Sequence, residues 1–233
     1  MDFLCKHTCI FCDSLSQRKL DLCLACERDL PVLQNYCKRC AETLPEGQKI
    51  CGSCLSDLSM QIETTALFNY SSPIDQLIIN LKFRNNLIGA RILGELLGNH
   101  LRDQYQNKIK PEVIIPVPLH SIRLRERGYN QALELSRPIS KKLNIPIDKF
   151  SIKRVKNTAA QAVLSAKERQ QNIKQAFGID ENFKYDYVAI IDDVVTTGNT
   201  VNELCKVLCS AGVSRIDIWC CAKRQFRNSA SPT

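Results

Sequence analysis

Apolar residues follow two kinds of pattern along most of the chain. Short continuous apolar runs, typical of strands buried on both faces, alternate with longer stretches in which apolar residues recur at helical spacing. The predicted strands are 63–70, 112–118, 152–155, 188–192 and 215–221, and the predicted helices are 73–81, 87–105, 129–143, 165–176 and 201–211. This alternation predicts an α/β fold with an open parallel sheet, formed by the strands from residue 112 onwards. In the second helix we expect these residues to face inward: Ile88, Ile92, Leu93, Leu96, Leu97 and Leu101.

The first 60 residues follow neither pattern and are organised by cysteine. Nine of the thirteen cysteines lie in the first 54 residues, and eight of them form four Cys-x-x-Cys pairs that repeat every 14 positions. Each pair places two thiolates on one side of a tight turn, and two such turns complete a tetrahedral shell of four sulfurs around Zn²⁺. The predicted ligands of two structural zinc ions are Cys9, Cys12, Cys23, Cys26, Cys37, Cys40, Cys51 and Cys54.

The spacing leaves open which pairs share a zinc ion. In the simplest arrangement the first two pairs share one ion and the last two pairs share the other. The identical spacing also permits a crossed arrangement, in which the first pair meets the third. Cys5 and His7 are left over. A segment this short has too small a core to fold alone, so metal is expected to supply much of its folding free energy. We predict a zinc-ribbon module over 1–60, in which zinc serves the fold rather than nucleic-acid contact, and an α/β domain over 61–233.

Charge is also distributed unevenly. The formal net charge is +8. Residues 1–60 carry 7 basic and 8 acidic side chains, whereas residues 82–174 carry 19 basic and 7 acidic ones, a net +12. Any polyanionic partner is therefore expected to contact the middle of the chain.

The hydropathy of the chain bears on its location. No apolar run approaches the roughly 18 residues needed to cross a bilayer, and the N-terminus lacks the pattern of a signal peptide. We therefore predict a cytoplasmic protein without membrane insertion. In that compartment, paired cysteines indicate metal rather than disulfides. Cys205, Cys209, Cys220 and Cys221 lack this pairing and are expected to be small buried residues.

The stretch 188–200 carries the strongest chemical signal in the chain. A buried strand is followed by two carboxylates, Asp192 and Asp193, and then by small and hydroxyl residues at the start of a helix. Small residues let backbone N–H groups approach a phosphate closely, and the helix N-terminus adds partial positive charge. The carboxylates repel phosphate but can accept hydrogen bonds from sugar hydroxyls. The stretch therefore predicts a site for a phosphorylated sugar.

This order of residues resembles the 5-phosphoribosyl-1-pyrophosphate (PRPP) signature of type I phosphoribosyltransferases. The resemblance implies that Asp192 and Asp193 take the ribose 2′- and 3′-hydroxyls, while the turn after them wraps the 5-phosphate. The residues that it implicates in PRPP binding are Asp192, Asp193, Val194, Val195, Thr196, Thr197, Gly198, Asn199 and Thr200.

A second strand–loop–helix unit carries basic residues instead. After the strand at 112–118, a predicted loop over 119–128 contains three arginines and leads into the mouth of a helix. Guanidinium groups and backbone N–H groups there could hold a pyrophosphate, and basic residues after the strand at 152–155 could fold over it as a flap. The pyrophosphate-side residues predicted in this way are Arg125, Arg127, Gly128, Arg154 and Lys156.

Several segments, in order along nearly the whole chain, resemble the ComF (ComFC) family. After the Cys-x-x-Cys pairs come Leu81–Arg84, Pro116–His120, Arg123–Gln131, Gln161–Asn172 and Ile191–Gly198. That family comprises phosphoribosyltransferase-like competence proteins with an N-terminal double zinc ribbon. The resemblance implies a role in natural transformation, with PRPP and Mg²⁺ in the crevice and single-stranded DNA as a partner on the cytoplasmic side. The DNA-binding candidates are Lys82, Arg84, Arg123 and Arg125.

Three functions remain open at this point. The first is a competence protein that binds PRPP and single-stranded DNA. The second is an active phosphoribosyltransferase whose base or nucleotide acceptor is unidentified, and the third is a zinc-dependent assembly module that docks onto other DNA-uptake proteins. The basic region favours the first, because Lys and Arg neutralise phosphates without sequence preference, and Phe83 and Tyr129 are candidate aromatic contacts. The acceptor, the oligomeric state and the partner proteins stay open.

Overall fold

The N-terminal part of the protein is built from tight turns around its cysteines. The computed structural model describes residues 7–56, 61–156 and 176–225. Two short helices occur in the first of these ranges, α1 (Leu24–Arg28) and α2 (Gly52–Leu55). Each begins directly after the first cysteine of a Cys-x-x-Cys pair, so the helical turn itself brings the two thiols to one side.

The α/β domain contains six strands and five helices in its described residues. Its strands are β1 (Gln61–Asn69), β2 (Val113–Pro116), β3 (Ile152–Arg154), β4 (Phe177–Ile179), β5 (Tyr187–Val195) and β6 (Arg215–Lys223). Its helices are α3 (Ile74–Phe83), α4 (Leu87–Gln104), α5 (Ser121–Arg127), α6 (Gln131–Leu143) and α7 (Asn199–Ser210). The helix predicted at 165–176 lies outside the described residues.

Four strands form one parallel sheet in the order β1-β6-β5-β2. An open parallel sheet is confirmed, but its membership differs from the prediction at two places. The first strand of the domain, β1, belongs to the sheet and pairs with β6. The strand at 152–155 does not belong to it, because β3 pairs antiparallel with β4 in a separate two-stranded sheet.

The two faces of the sheet are covered by different elements. On one face, Thr65 of β1 donates to Gln104 of α4, and Trp219 of β6 packs edge-on against Tyr105. On the other face, the Thr64 hydroxyl donates to the backbone carbonyl of Arg39 in the zinc module. Strand residues alternate between faces, so β1 is covered by α4 on one side and by the module on the other.

Close packing of α4 on α6 depends on two glycines. A Cβ at Gly94 would lie 2.5 Å from Pro138 Cγ, and one at Gly98 would lie 2.8 Å from Lys142 Cδ. The two helices therefore approach more closely than side chains would allow. Five of the six residues predicted to face inward on α4 are buried, whereas Ile88 is 46% exposed and that prediction is wrong. Ile88 lies in the first turn, beyond the reach of α6 and the sheet.

The zinc module is docked on the sheet through backbone and side-chain hydrogen bonds. Leu33 N–H donates to Leu67 O over 2.9 Å, and Thr64 N–H donates to Lys38 O over 2.6 Å. At the far end of β6, the Gln225 amide accepts from Thr43 N–H over 3.0 Å and donates to Ala41 O over 3.1 Å. Among the described residues, no helix is long and apolar enough to cross a membrane.

Candidate functional site

The eight predicted zinc ligands form two groups of four. In each group the four sulfurs lie within 4.8 Å of one another, one group joining the first two Cys-x-x-Cys pairs and the other joining the last two. The distances Cys12 Sγ–Cys23 Sγ and Cys40 Sγ–Cys51 Sγ are both 3.7 Å. Sulfurs bound about 2.3 Å from a tetrahedral Zn²⁺ are separated by about 3.8 Å, so both groups fit the metal. The neighbouring arrangement is the one present, and the crossed one is excluded.

Of the two residues left over by the zinc pattern, one is described. His7 Nδ1 lies 2.7 Å from Asp21 Oδ1 and belongs to neither sulfur group. Cys5 lies outside the described residues.

The acidic pair lies inside β5 rather than after it. The prediction ended this strand at residue 192, but β5 continues to Val195, because its last residues pair with β6 up to Lys223. Consecutive strand residues point to opposite faces. Asp192 and Asp193 therefore meet different neighbours at the carboxyl edge of the sheet.

Asp193 is buried and ion-paired. Its carboxylate lies 2.9 Å from Lys82 Nζ at the end of α3, and its side chain is 7% exposed. Burial lowers the pKa of Lys82, but the charge of Asp193 and the hydrogen bond to it outweigh this and raise that pKa overall. The sequence placed Lys82 among the DNA-binding candidates; the structure instead places its ammonium group inside the crevice, against the acid.

Asp192 is partly exposed and has a strongly perturbed acidity. Burial, followed by the charge of Asp193, raises the pKa of Asp192 to about 7, while Lys82 and Arg154 oppose that rise. Its Oδ1 accepts a hydrogen bond from Asp193 N–H over 2.9 Å. A carboxyl that titrates near neutral pH at the edge of a parallel sheet is a feature of functional sites.

The arginines predicted to lie on a loop are carried by a helix. Residues 121–127 form α5. His120 caps its start, and Gly128, with φ of +78°, caps its end. The spacing of four places Arg123 and Arg127 on one helix face, both half-buried, whereas Arg125 is exposed on another. The loop prediction is therefore wrong. A helix forms because the segment is a run of good helix formers that ends at a glycine in the left-handed conformation.

The charges of Arg127 and Arg154 interact with those of the two acids. Burial lowers the pKa of Arg127, and Asp193 raises it. Burial, followed by the charge of Arg123, lowers the pKa of Arg154, while the charge of Asp192 opposes this change. The crevice thus brings together both acids, Lys82 and these arginines, whereas Arg84, Arg125 and Lys156 lie exposed.

The mouths of two helices border the crevice, and they differ in one respect. At α6 the Asn130 side chain accepts from Ala132 N–H and Leu133 N–H, so these backbone donors are already satisfied. At α7 the first position is Gly198, with φ of +77°, and no side chain of the described residues caps the helix. The α6 mouth was predicted to offer N–H groups to a pyrophosphate, and its cap occupies them. The α7 mouth has no such side-chain cap among the described residues.

The rest of the predicted PRPP segment surrounds this second mouth. Val194 and Val195 end β5, Thr196 and Thr197 form the exposed connection, and Asn199 and Thr200 lie in the first turn of α7. Of the residues predicted to fold over the pyrophosphate as a flap, Arg154 ends β3, where its backbone forms a bridge with His120, and Lys156 is exposed.

The sequence reading missed Lys223. This residue ends β6, is 4% exposed, and lies 2.7 Å from Thr196 O and 3.1 Å from Glu42 Oε2. It therefore connects the zinc module to the threonine connection through one ammonium group. These groups border a cavity of about 140 Å³, shared by the module, β6 and α7. A lysine directly after the apolar run 218–222 was the signal available in the sequence.

The fold and site define an open parallel α/β domain with an acidic pair at its carboxyl edge, joined to a double zinc ribbon. Residues 1–55 match the family model described as "Double zinc ribbon domain". Competence protein F of Haemophilus influenzae is 45% identical over 157 residues, covering 65% of this chain and 68% of that protein. DNA utilization protein YhgH of Salmonella typhimurium is 36% identical over 154 residues, with the same two shares. The chain belongs to the competence protein F family.

Solved structures with a similar backbone include two phosphoribosyltransferases. The hypoxanthine enzyme of Trypanosoma cruzi matches with a TM-score of 0.39 at 15% identity, over 62% of this chain and 69% of that one. The adenine enzyme of Saccharomyces cerevisiae matches with a TM-score of 0.37 at 14% identity, over 61% and 72%. At these TM-scores the likeness carries no argument. The predicted α/β class with an N-terminal double zinc ribbon is confirmed by the sheet, the sulfur groups and the matched domain model.

Proposed function

We propose that the crevice at the carboxyl edge of β5 binds PRPP with Mg²⁺, and that the protein uses this site while handling single-stranded DNA in competence. The uncapped mouth of α7, which follows directly after the acidic pair, carries the proposal. A twelve-residue helix presents partial positive charge and unsatisfied N–H groups at its start. A 5-phosphate there would lie five or six residues along the chain from Asp193 and Asp192, whose carboxylates can accept hydrogen bonds from ribose hydroxyls.

The other end of the ligand would meet the basic side of the crevice. Arg127 lies close enough to Asp193 for their charges to interact, and Arg154 does the same with Asp192. A pyrophosphate spanning from the ribose would therefore find guanidinium groups on two sides. Mg²⁺ is held largely by substrate phosphates with one or two carboxylates, and Asp192, the less buried acid, fits that part.

The DNA part of the proposal rests on the family and on charge. The relatives are named a competence protein and a DNA utilization protein. The net +12 region over 82–174 contains exposed Arg84 and Arg125, both next to the crevice elements α3 and α5. Phosphates of a single strand would release counterions on contact with such groups. We also propose that the boundary between the zinc module and the α/β domain lies near residue 60.

Titration calorimetry with PRPP and Mg²⁺ tests the sugar-phosphate site. We expect binding by the wild-type protein and loss of detectable binding in the Asp192→Asn/Asp193→Asn double variant. Glu181→Gln, an exposed acid on the β4–β5 connection, is the control and should bind as the wild type does. A silent wild type, or a double variant with unchanged affinity, would overturn the proposal. Release of pyrophosphate on adding candidate bases would extend it to transfer.

Salt titration tests the DNA part separately. Affinity for single-stranded DNA should fall steeply with salt, by about 0.7 in the logarithmic slope for each phosphate neutralised. Arg84→Gln with Arg125→Gln should reduce the slope by about 1.4. Arg28→Gln with Lys206→Gln removes the same charge from exposed positions outside the basic region and should leave the slope unchanged. Equal slopes in both double variants would place the DNA contact elsewhere.

A further inference from the structure

An aromatic ring stands exposed at the entrance of the crevice. Phe83 is the last residue of α3 and is 72% exposed. Its neighbour in sequence, Lys82, is ion-paired with Asp193, so the ring lies one residue away from the acid of the site. An exposed phenylalanine is not unusual by itself, but this one has a fixed position relative to the crevice.

A guanidinium group covers one side of this ring. Arg127 Cζ lies 5.6 Å from the centroid of the Phe83 ring. The end of α3 is also held from the same side, because the Tyr129 hydroxyl donates to the carbonyl of Leu81. With one face against Arg127 and most of its surface in solvent, the ring offers its other face as a rigid stacking surface.

The surroundings of the ring indicate the chemistry of its occupant. Leu87 and Ile88, on the first turn of α4, are each 46% exposed, and Arg84 is exposed beside the ring. A flat apolar group linked to negative charge satisfies both features. Bases of a single strand stack on aromatic side chains while their phosphates meet Arg and Lys. Arg127, which covers the ring, also interacts with the charge of Asp193 in the crevice.

We propose that Phe83, supported from behind by Arg127, is the stacking platform for a base of single-stranded nucleic acid at the entrance of the crevice. The inference rests on the proposed handling of single-stranded DNA and adds the residue that contacts a base rather than the backbone. It places the strand within reach of the sugar-phosphate site, so a base stacked on Phe83 lies beside Lys82 and the acidic pair.

A matched pair of oligonucleotides separates base stacking from backbone binding. Full-length protein is titrated with an oligothymidylate and with an abasic strand of equal length. Phe83→Ala should weaken oligothymidylate binding about tenfold, which is typical of the loss of one base–aromatic stack, and leave abasic binding unchanged. Phe83→Trp should restore affinity, and its fluorescence should be quenched by oligothymidylate only. Trp219 is 0% exposed and contributes a constant background.

The chain supplies its own control for an exposed ring beside a cation. Phe150 is 71% exposed, with Lys149 Nζ 4.9 Å from its ring centroid, and it lies in the connection between α6 and β3. Phe150→Ala should bind both strands as the wild type does. Equal binding by Phe83→Ala and the wild type would overturn this inference alone. A wild type that binds no oligothymidylate would overturn it together with the DNA part of the proposed function, whereas a failure of PRPP binding would leave the inference standing.

Discussion

The zinc module and the α/β domain differ in what fills their interiors. In the domain, long apolar side chains from the sheet and from α4 and α6 are fully buried, and Trp219 lies at the centre. In the described part of the module, the buried apolar residues are few: Cys9, Leu20, Leu22, Leu30, Leu33, Cys37 and Ala41. Two of these are zinc ligands, so metal bonds take the place of packing there.

The two regions therefore owe their stability to different interactions, and the candidate site lies in the region that packing stabilises. The domain holds its candidate site at the carboxyl edge of strands that are stable through packing. The module reaches the same edge through Glu42 and Lys223, so a metal-dependent segment touches the connection between β5 and α7. Loss of metal should therefore unfold the module, whereas the candidate site should only become less rigid.

The largest expected effect follows from removing one zinc ligand. Cys51→Ser should release one of two zinc ions and unfold the module, because metal binding to such sites contributes about 10 kcal/mol or more to folding. The α/β domain should keep a cooperative thermal transition. Zinc content, together with limited proteolysis, measures both effects.

A second cysteine shows whether the effect belongs to the metal. Cys209→Ser changes a partly exposed thiol in α7 that belongs to neither sulfur group. Its zinc content and proteolysis pattern should match those of the wild type. Persistence of a protease-resistant module in Cys51→Ser would show that packing, rather than metal, holds the N-terminal part together.

The next effect concerns the ion pair inside the α/β domain. Lys82→Met leaves Asp193 buried without its partner and should lower the free energy of unfolding by about 3 kcal/mol. Lys142→Met is the matched control: it breaks a 2.7 Å pair with Glu95, whose side chain is 33% exposed, and should cost less than about 1 kcal/mol. Urea unfolding compares the two. Equal losses would mean that Asp193 is solvated and that the crevice is more open than its geometry indicates.

The sequence predicts best where a single physical pattern decides the structure. Apolar runs identified β2, β5 and β6, since burial on both faces leaves little room for polar residues. The segment of β1 was predicted as a strand but not as a member of the sheet, and β4 was not predicted. Cysteine spacing identified both zinc sites. By contrast, the prediction that β3 belongs to the parallel sheet was wrong, because the sequence of a three-residue strand does not indicate whether its partner runs parallel or antiparallel.

The candidate site was predicted in its acidic half and less well in its basic half. The turn of small residues before a helix is a local pattern, and α7 begins where that turn ends, whereas the phosphate site there stays a prediction. The role of Lys82 depends on how α3 packs against β5, and that of Lys223 on the docking of the module. Neither contact is local in sequence. The position of Lys223 after an apolar run singles out the residue, but no pattern in the chain shows its partners.

A smaller effect should follow from cutting the link between the two regions. Lys223→Met leaves the Thr196 carbonyl and Glu42 without their shared donor and should lower stability by about 1–2 kcal/mol. Hydrogen exchange should rise at Thr196 and Thr197 and in the module near Glu42. Lys206→Met, at a side chain that is 70% exposed, is the control and should change neither quantity. Unchanged exchange at both places would show that the module and the site are independent.

The last effect is a gain in stability that depends on pH. The pKa of Asp192 is about 7 in the folded protein, because of burial and then of Asp193, against an ordinary value of 3.8. Between these values the folded protein holds a proton that the unfolded chain has lost, so stability is full below the lower value and falls as the pH rises through the higher one. Asn cannot ionise, and Asp192→Asn should therefore be more stable than the wild type near pH 8, with little gain near pH 4. A difference of about three pKa units corresponds to at most about 4 kcal/mol, and solvent screening of this partly exposed carboxyl reduces the gain.

Urea unfolding of Asp192→Asn across this pH range measures that gain, with Glu181→Gln as the exposed control. A difference that stays constant with pH would mean that Asp192 titrates normally and is solvated in the folded protein. A gain that grows with pH, accompanied by loss of PRPP binding, would show that the site keeps an ionisable carboxyl at the expense of stability. The zinc module shows no such conflict, because its metal ligands also provide its cohesion. The sign of the change at Asp192 therefore distinguishes a residue retained for binding from one retained for folding.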